Sequence, residues 1–266
     1  MESSREMILN AFSSRRSVRS FKAGFTEEQS RLVTSILEEV NSLKSPFGNS
    51  DAIVGNRGPG LGWMRFVAGE TGWLMLKVPK NHPSHDKALI DAAFRAQVAV
   101  MKFQQNGIGS VWMCGTYNRD IAEQSCPGYT VECGVAYGIE DSPRFFEKTL
   151  KFFGNSSTRK PLNEIAYSID LRAPITEDTA GENLELLKAL RSGPSAGNNQ
   201  TWRFLFEGNK IHLYAVESKY PNQFDMGIAL ANMAFFFDKI GSSQFNIEEN
   251  PPNSPIGGAY ICTYLK

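Results

Sequence analysis
Apolar residues along the chain alternate between helical and period-2 spacing, and the changes mark its elements. Met7, Ile8, Ala11 and Phe12 predict a short amphipathic helix over 3–13. Leu32, Val33, Ile36, Leu37 and Val40 predict a second over 27–43, opened by the capping-box form Thr26-Glu27-Glu28-Gln29 and stopped at Ser45-Pro46-Phe47-Gly48-Asn49. Glycines and a proline make 50–62 a loop. Trp63–Ala68 and Trp73–Val78 read as strands around a turn at Gly69 to Gly72. From His85 to Asn106 runs a helix that is apolar over most of its surface, as a buried helix is. Ser110–Met113 and Tyr129–Tyr137 read as strands, with a short helix after Asn118; residues 141–163 are polar around Phe145, Phe146, Phe152 and Phe153. Leu184, Leu187 and Leu190 mark another helix, Trp202–Phe206 and Lys210–Val216 a hairpin about Gly208-Asn209, Phe224–Ile240 a second apolar helix and Tyr260–Leu265 a last strand.

The pattern comes twice. Leu43-Lys44-Ser45-Pro46 parallels Leu190-Arg191-Ser192-Gly193-Pro194, and each leads through two strands to an aspartate opening a long helix. Asp91 and Gly107 are 16 positions apart, and so are Asp225 and Gly241. Either two ordinary helices coincide, or the chain is two related halves, a dimer fused into one polypeptide. The period is too long for a solenoid.

Composition narrows the classes. The 266 residues carry 28 Lys+Arg against 28 Asp+Glu, so no global field draws the chain to nucleic acid and any basic cluster acts locally. Hydrophobic content of 41% with 21% charged residues is that of a globular protein. No apolar run is long enough to span a bilayer, and the N-terminus lacks the form of a leader, so cytoplasm is the expected location. Cys114, Cys126, Cys133 and Cys262 form no CxxC pair and only three histidines are present, which predicts free thiols in a reducing compartment and no zinc site.

The densest candidate chemistry is Ser14-Arg15-Arg16-Ser17-Val18-Arg19-Ser20-Phe21. In an extended segment Arg15, Ser17 and Arg19 share one face and Arg16 and Val18 the other. Guanidinium, hydroxyl and guanidinium in a row suit a phosphorylated ligand. A solvated basic loop and a nucleic-acid arm are the alternatives. A second stretch, Pro194-Ser195-Ala196-Gly197-Asn198-Asn199-Gln200-Thr201-Trp202, bears on the choice.

Together these residues resemble the nitroreductase family of FMN-dependent oxidoreductases, over most of the chain. The likeness rests on Arg15, Ser17 and Arg19 after an amphipathic helix; on Gly107, Gly109, Ser110, Trp112 and Gly115 after the central helix; on Arg159 to Leu162; and on Pro194, Ser195, Asn198, Gln200 and Trp202. Their order resembles the subfamily in which two halves are joined. The resemblance implies an α+β fold with a central sheet flanked by helices, a first half 1–165, a second half 166–266, and one intertwined unit acting as a monomeric pseudo-dimer. It implies that Arg15, Ser17 and Arg159 hold the FMN phosphate, assisted by Arg16 or Lys160, and that Arg19 faces the flavin ring edge. Gly115 would offer its N–H to flavin N5, with Cys114 beside it, and Pro194, Ser195 and Ala196 would cover the ring. Asn198 and Gln200 either bond the ring edge or fix the loop.

Two departures stand out. Thr201 replaces the family's usual proline, which would loosen the loop, and Cys114 stands where relatives often carry glycine or an acid. Trp112 and Trp202 read as core residues, and His82, His85 and His212 as surface or strand residues. No general acid or base stands out, as expected where a flavin carries the hydride chemistry. The implied activity is ping-pong NAD(P)H oxidation coupled to nitroaromatic or quinone-type acceptors, with a flavin store or sensor as the alternative. The second half lacks an arginine row and the first half lacks a Gln-x-Trp loop, which predicts one FMN per chain.

Overall fold
A computed structural model describes residues 3–22, 24–63, 66–142, 158–241 and 244–266. The phenylalanine-rich stretch 143–157 lies outside them. Helix α1 (Ser4–Ser14) is held by a capping box of Ser3 and Glu6, and α2 (Glu27–Ser42) by the box of Thr26 and Gln29 read from the sequence. Strand β1 (Phe21–Lys22) lies between them. Then follow β2 (Ile53–Arg57), β3 (Gly72–Pro79), α3 (His85–Gln105), β4 (Gly109–Met113), α4 (Arg119–Gln124, capped by Asn118) and β5 (Tyr129–Glu140). After residue 158 come α5 (Leu162–Ile165), β6 (Ala166–Ser168), β7 (Ala173–Pro174), α6 (Leu184–Arg191), β8 (Trp202–Glu207), β9 (Lys210–Ala215), α7 (Gln223–Phe236), β10 (Phe245–Asn246) and β11 (Ala259–Leu265).

The fold is α+β, with its described strands in two sheets. The first runs β1-β5-β3-β2 with β4 also on β5, and the second β10-β11-β9-β8-β6-β7. Helix α3 packs on the first sheet, α7 contacts the second through β8 and β11, and the two helices pack on each other. Their apolar faces account for the all-round hydrophobicity of both stretches. The crossing is close because Gly227 lacks a side chain: a Cβ there would lie 2.4 Å from the Ile90 carbonyl and 2.5 Å from the Ala93 Cβ. Within this interface Gln97 Nε2 donates to Asn232 Oδ1 at 3.0 Å, and Trp112 Nε1 donates to Gln97 Oε1 at 3.1 Å. The buried Gln97 of α3 thus finds partners on α7 and β4, as burial requires.

Three local expectations change. Residues 53–57 pair with β3 instead of looping: Gly55 sits opposite Met75, where a Cβ would lie 2.6 Å from the cross-strand Lys77 side chain. Trp63–Ala68 is no regular strand among its described residues: Ala68 makes a single bridge with Ser20, Gly62 just before the stretch makes one with Tyr117, and Trp63 is 56% exposed. The cysteines are not all free. Register places Met113 opposite Gly134, so Cys114 faces Cys133 on β5, and the two are joined in a disulfide. The sequence hides this pair because β5 returns to β4 after 19 residues. Cys126 and Cys262 are free and buried.

Candidate functional site
The arginine stretch is extended, as alternation required. Arg15 ends α1, and its N–H still donates to the Ala11 carbonyl. Ser17 then pairs parallel with Ser110, the Val18 N–H donates to the Ser110 carbonyl at 3.0 Å, and the Ala68 N–H donates to the Arg19 carbonyl at 2.9 Å. The segment is clamped between β4 and the chain after Trp63. Val18 is buried and fills the space above Gly109, where a Cβ would come within 2.9 Å of it. Arg15, Ser17 and Arg19 are half-buried, whereas Arg16 is exposed and pairs with Glu140 at the end of β5.

The second stretch meets the third motif. Arg159 Nη1 donates to Asn198 Oδ1 at 2.8 Å, and Asn198 Nδ2 donates to the Thr158 carbonyl at 2.8 Å. The Lys160 N–H donates to Gln200 Oε1 at 2.9 Å, and Gln200 Nε2 donates back to the Thr158 carbonyl at 3.3 Å. Asn198 and Gln200 therefore fix this loop to the basic segment. Both have positive φ, 58° and 49°. That backbone is costly for residues with a side chain and persists where the surroundings enforce it. The Lys160 ammonium turns away to Glu164.

Beneath the loop lies Asp225, 1% exposed, near the start of α7. Its carboxylate accepts from the Ala196 N–H at 2.9 Å and from the Thr201 hydroxyl at 2.8 Å. The Ser195 hydroxyl accepts from the Gln200 N–H at 3.0 Å and closes the turn. Thr201, expected to loosen the loop, ties it down. Burial raises the Asp225 carboxyl to about 6, against the pull of these hydrogen bonds. Asp91, fully buried near the start of α3, does the same for the other loop: it accepts from the N–H groups of Phe47 and Asn49 and from the Asn49 side chain.

Three guanidiniums converge here. Arg15 reaches the Ser192 carbonyl, which brings it beside the loop. Burial first, and then repulsion from Arg159, lowers its pKa to about 10. Arg159 is lowered too, by burial and then by the charge of Arg191, which pairs with Glu177 at 3.3 Å. In the sequence Arg191 enters only within the repeated stretch Leu190–Pro194; its place one turn before the Pro194 loop is the available signal. From Ser110, β4 runs on to Cys114 and Gly115, both exposed, and a Cβ on Gly115 would touch nothing within 4 Å. The site thus gathers Arg15, Arg159, Lys160, Ser195, Ala196 and Asn198, with Pro194 leading into the loop. Ser17, Arg19, Cys114 and Gly115 follow along β4, and Arg16 stands apart.

The remaining candidates are structural. Trp202 is fully buried, and His212 is buried between Thr263 and Glu207. Among the described residues, no cluster of histidine, cysteine and carboxylate side chains could hold a metal, and no helix is long and apolar enough to cross a membrane.

Residues 7–236 match the model of a family described as "Putative TM nitroreductase". A solved "putative nitroreductase" from Thermotoga maritima MSB8 superposes with a TM-score of 0.59 at 16% identity, covering 97% of this chain and 93% of that one. A nitroreductase with bound FMN from Desulfitobacterium hafniense DCB-2 reaches 0.42 at 16% identity over 52% of this chain and 91% of its own. The FMN-dependent nitroreductase NfnB from Mycobacterium smegmatis, solved in complex with NADPH, reaches 0.41 at 15% identity over 52% and 88%. No curated protein matches the chain.

Proposed function
The chain belongs to this TM nitroreductase family, and from that premise we propose that it is an FMN-dependent NAD(P)H oxidoreductase reducing nitroaromatic or quinone-type acceptors by a ping-pong sequence. The observation that carries the reading is the meeting of Arg15 and Arg159. The fold holds both guanidiniums half-buried, and beyond the effect of burial the charge of Arg159 lowers the proton affinity of Arg15 and that of Arg191 lowers Arg159. Such an arrangement costs energy by itself, and a dianionic phosphate beside it turns the repulsion into paired attraction. Ser17 adds a neutral donor, and Arg191 adds a third positive charge. Arg16, committed to Glu140, is left out.

FMN, when bound, supplies the hydride chemistry. The chain's residues bind and tune it. Arg19, farther along the same extended segment, is assigned to the ring edge, where a cation favours the reduced, anionic flavin. The bare Gly115 lets backbone approach N5. The Pro194–Ala196 segment covers the ring, held by Asp225, while Asn198 and Gln200 secure the loop without touching the ring. The two substrates take turns over the exposed face, which is the ping-pong order. We read residues 1–165 and 166–266 as two related halves of one unit. The support is that Asp91 and Asp225 each accept backbone N–H bonds from the loop arriving from the preceding helix, and that Gly107 and Gly241 close both stretches with positive φ, 70° and 80°.

Reconstitution with FMN followed by stopped-flow reduction with NADH or NADPH tests the reading. Flavin bleaching by either nucleotide and recovery on adding a quinone are expected. Tight FMN binding with no bleaching by either nucleotide would favour the flavin store, and no FMN binding would end both.

A further inference from the structure
Resting on that reading, we propose that Cys114–Cys133 is a redox centre that takes electrons from the reduced flavin, so that the chain holds two two-electron carriers. The observations are positional. The disulfide ties the end of β4 to β5. Cys114 immediately precedes Gly115, the residue assigned to the reacting nitrogen of the flavin. Its two residues differ: Cys133 is fully buried in the core cluster, whereas Cys114 is an exposed residue next to Gly115. Exposed disulfides are the ones that tend to be labile and to exchange electrons. Nor does the fold need a staple here, because β4 and β5 already pair from Gly109–Gly138 to Met113–Gly134.

The step balances. The S–S bond breaks and each sulfur gains one electron and one proton; the reduced, anionic flavin gives up two electrons and one proton and becomes oxidised, and the second proton comes from solvent. In the dithiol state the covalent tie between Cys114 and β5 is gone.

The test counts thiols and electrons in the full chain loaded with FMN. Flavin absorbance of the loaded protein reports the binding reading separately. Under anaerobic conditions the flavin is reduced with dithionite, the sample is quenched in acid and denatured, and thiols are labelled with N-ethylmaleimide and located by mass spectrometry. Cys126 and Cys262, free throughout, give the baseline. The expected result is that Cys114 and Cys133 become labelled only in flavin-loaded protein, and that about four electrons per flavin are consumed, against about two in Cys133→Ser. The labelling comparison of loaded with flavin-free wild type needs no variant. Three results overturn the proposal: about two electrons per flavin with no new thiols, equal labelling without flavin, or both cysteines already free in the purified oxidised protein. If no flavin absorbance is retained, the binding reading has failed and this inference falls with it.

Discussion

Asp91 and Asp225 sit near the starts of the two helices that cross at the centre of the molecule, and each carboxylate holds the loop arriving from the preceding helix. The loops differ. The one over Asp91, Pro46 to Ser50, keeps to its own surroundings: Asn49 bonds the carboxylate and its carbonyl accepts from Arg95. The one over Asp225 is longer, carries two non-glycine residues with positive φ, and is stitched to Thr158, Arg159 and Lys160. The same anchor therefore supports an inert turn in one place and a strained, arginine-lined turn in the other. A repeated anchor does not imply a repeated site. Chemistry follows from which foreign segment reaches the loop.

The largest effects should come from removing the anchors. Asp91→Ala strands three donors and Asp225→Ala two, each buried orphan costing about 1–3 kcal/mol. Urea unfolding should rank Asp91→Ala as the less stable of the two, while FMN titration should rank Asp225→Ala as the weaker binder. Loss of FMN affinity in Asp91→Ala alone would mean that the inert loop serves the flavin.

Next in size is the contrast between adjacent arginines. A charge-assisted hydrogen bond contributes about 1.5–3 kcal/mol, so Arg15→Ala should lose about ten- to a hundredfold in FMN affinity. Arg16→Ala should lose almost none, because its exposed pair with Glu140 is worth little. Fluorescence titration of FMN compares them; equal losses would return Arg16 to the phosphate.

Much of this was legible in the sequence. The capping box at Thr26, the two apolar helices and the alternation at Arg15–Arg19 are local signals, and the structure places them accordingly. What was hidden depends on contacts distant in sequence. β2 reads as a glycine-rich loop until β3 lies beside it. Cys114 and Cys133 carry no motif, and only the β4–β5 register brings them together. Thr201 read as a departure from a family pattern, yet its hydroxyl is a ligand of a carboxylate 24 positions away. Arg191 looked like an ordinary basic helix end until Arg159 was placed beside it.

A further effect is on pH dependence. The folded Asp225 carboxyl, at about 6, lies above the unfolded value of about 3.9, so over that interval the native state binds more protons. Stability therefore falls as pH rises from about 4 to about 6 and levels off above. Asp225→Asn cannot titrate, and Asp91, raised in the same direction, is common to both proteins. The difference in urea midpoint, wild type minus variant, should decline across that window; a flat or rising difference would contradict the buried, protonatable anchor.

The central claim, that one loop of the pair makes a site and the other does not, is tested most directly by flavin stoichiometry. A symmetric dimer presents every patch twice, and a single chain with two halves need not. FMN released from fully loaded protein by heat, measured by absorbance against protein concentration from amino-acid analysis, should give about one flavin per chain. A ratio near two would show that the loop over Asp91 also holds a flavin and would contradict the account.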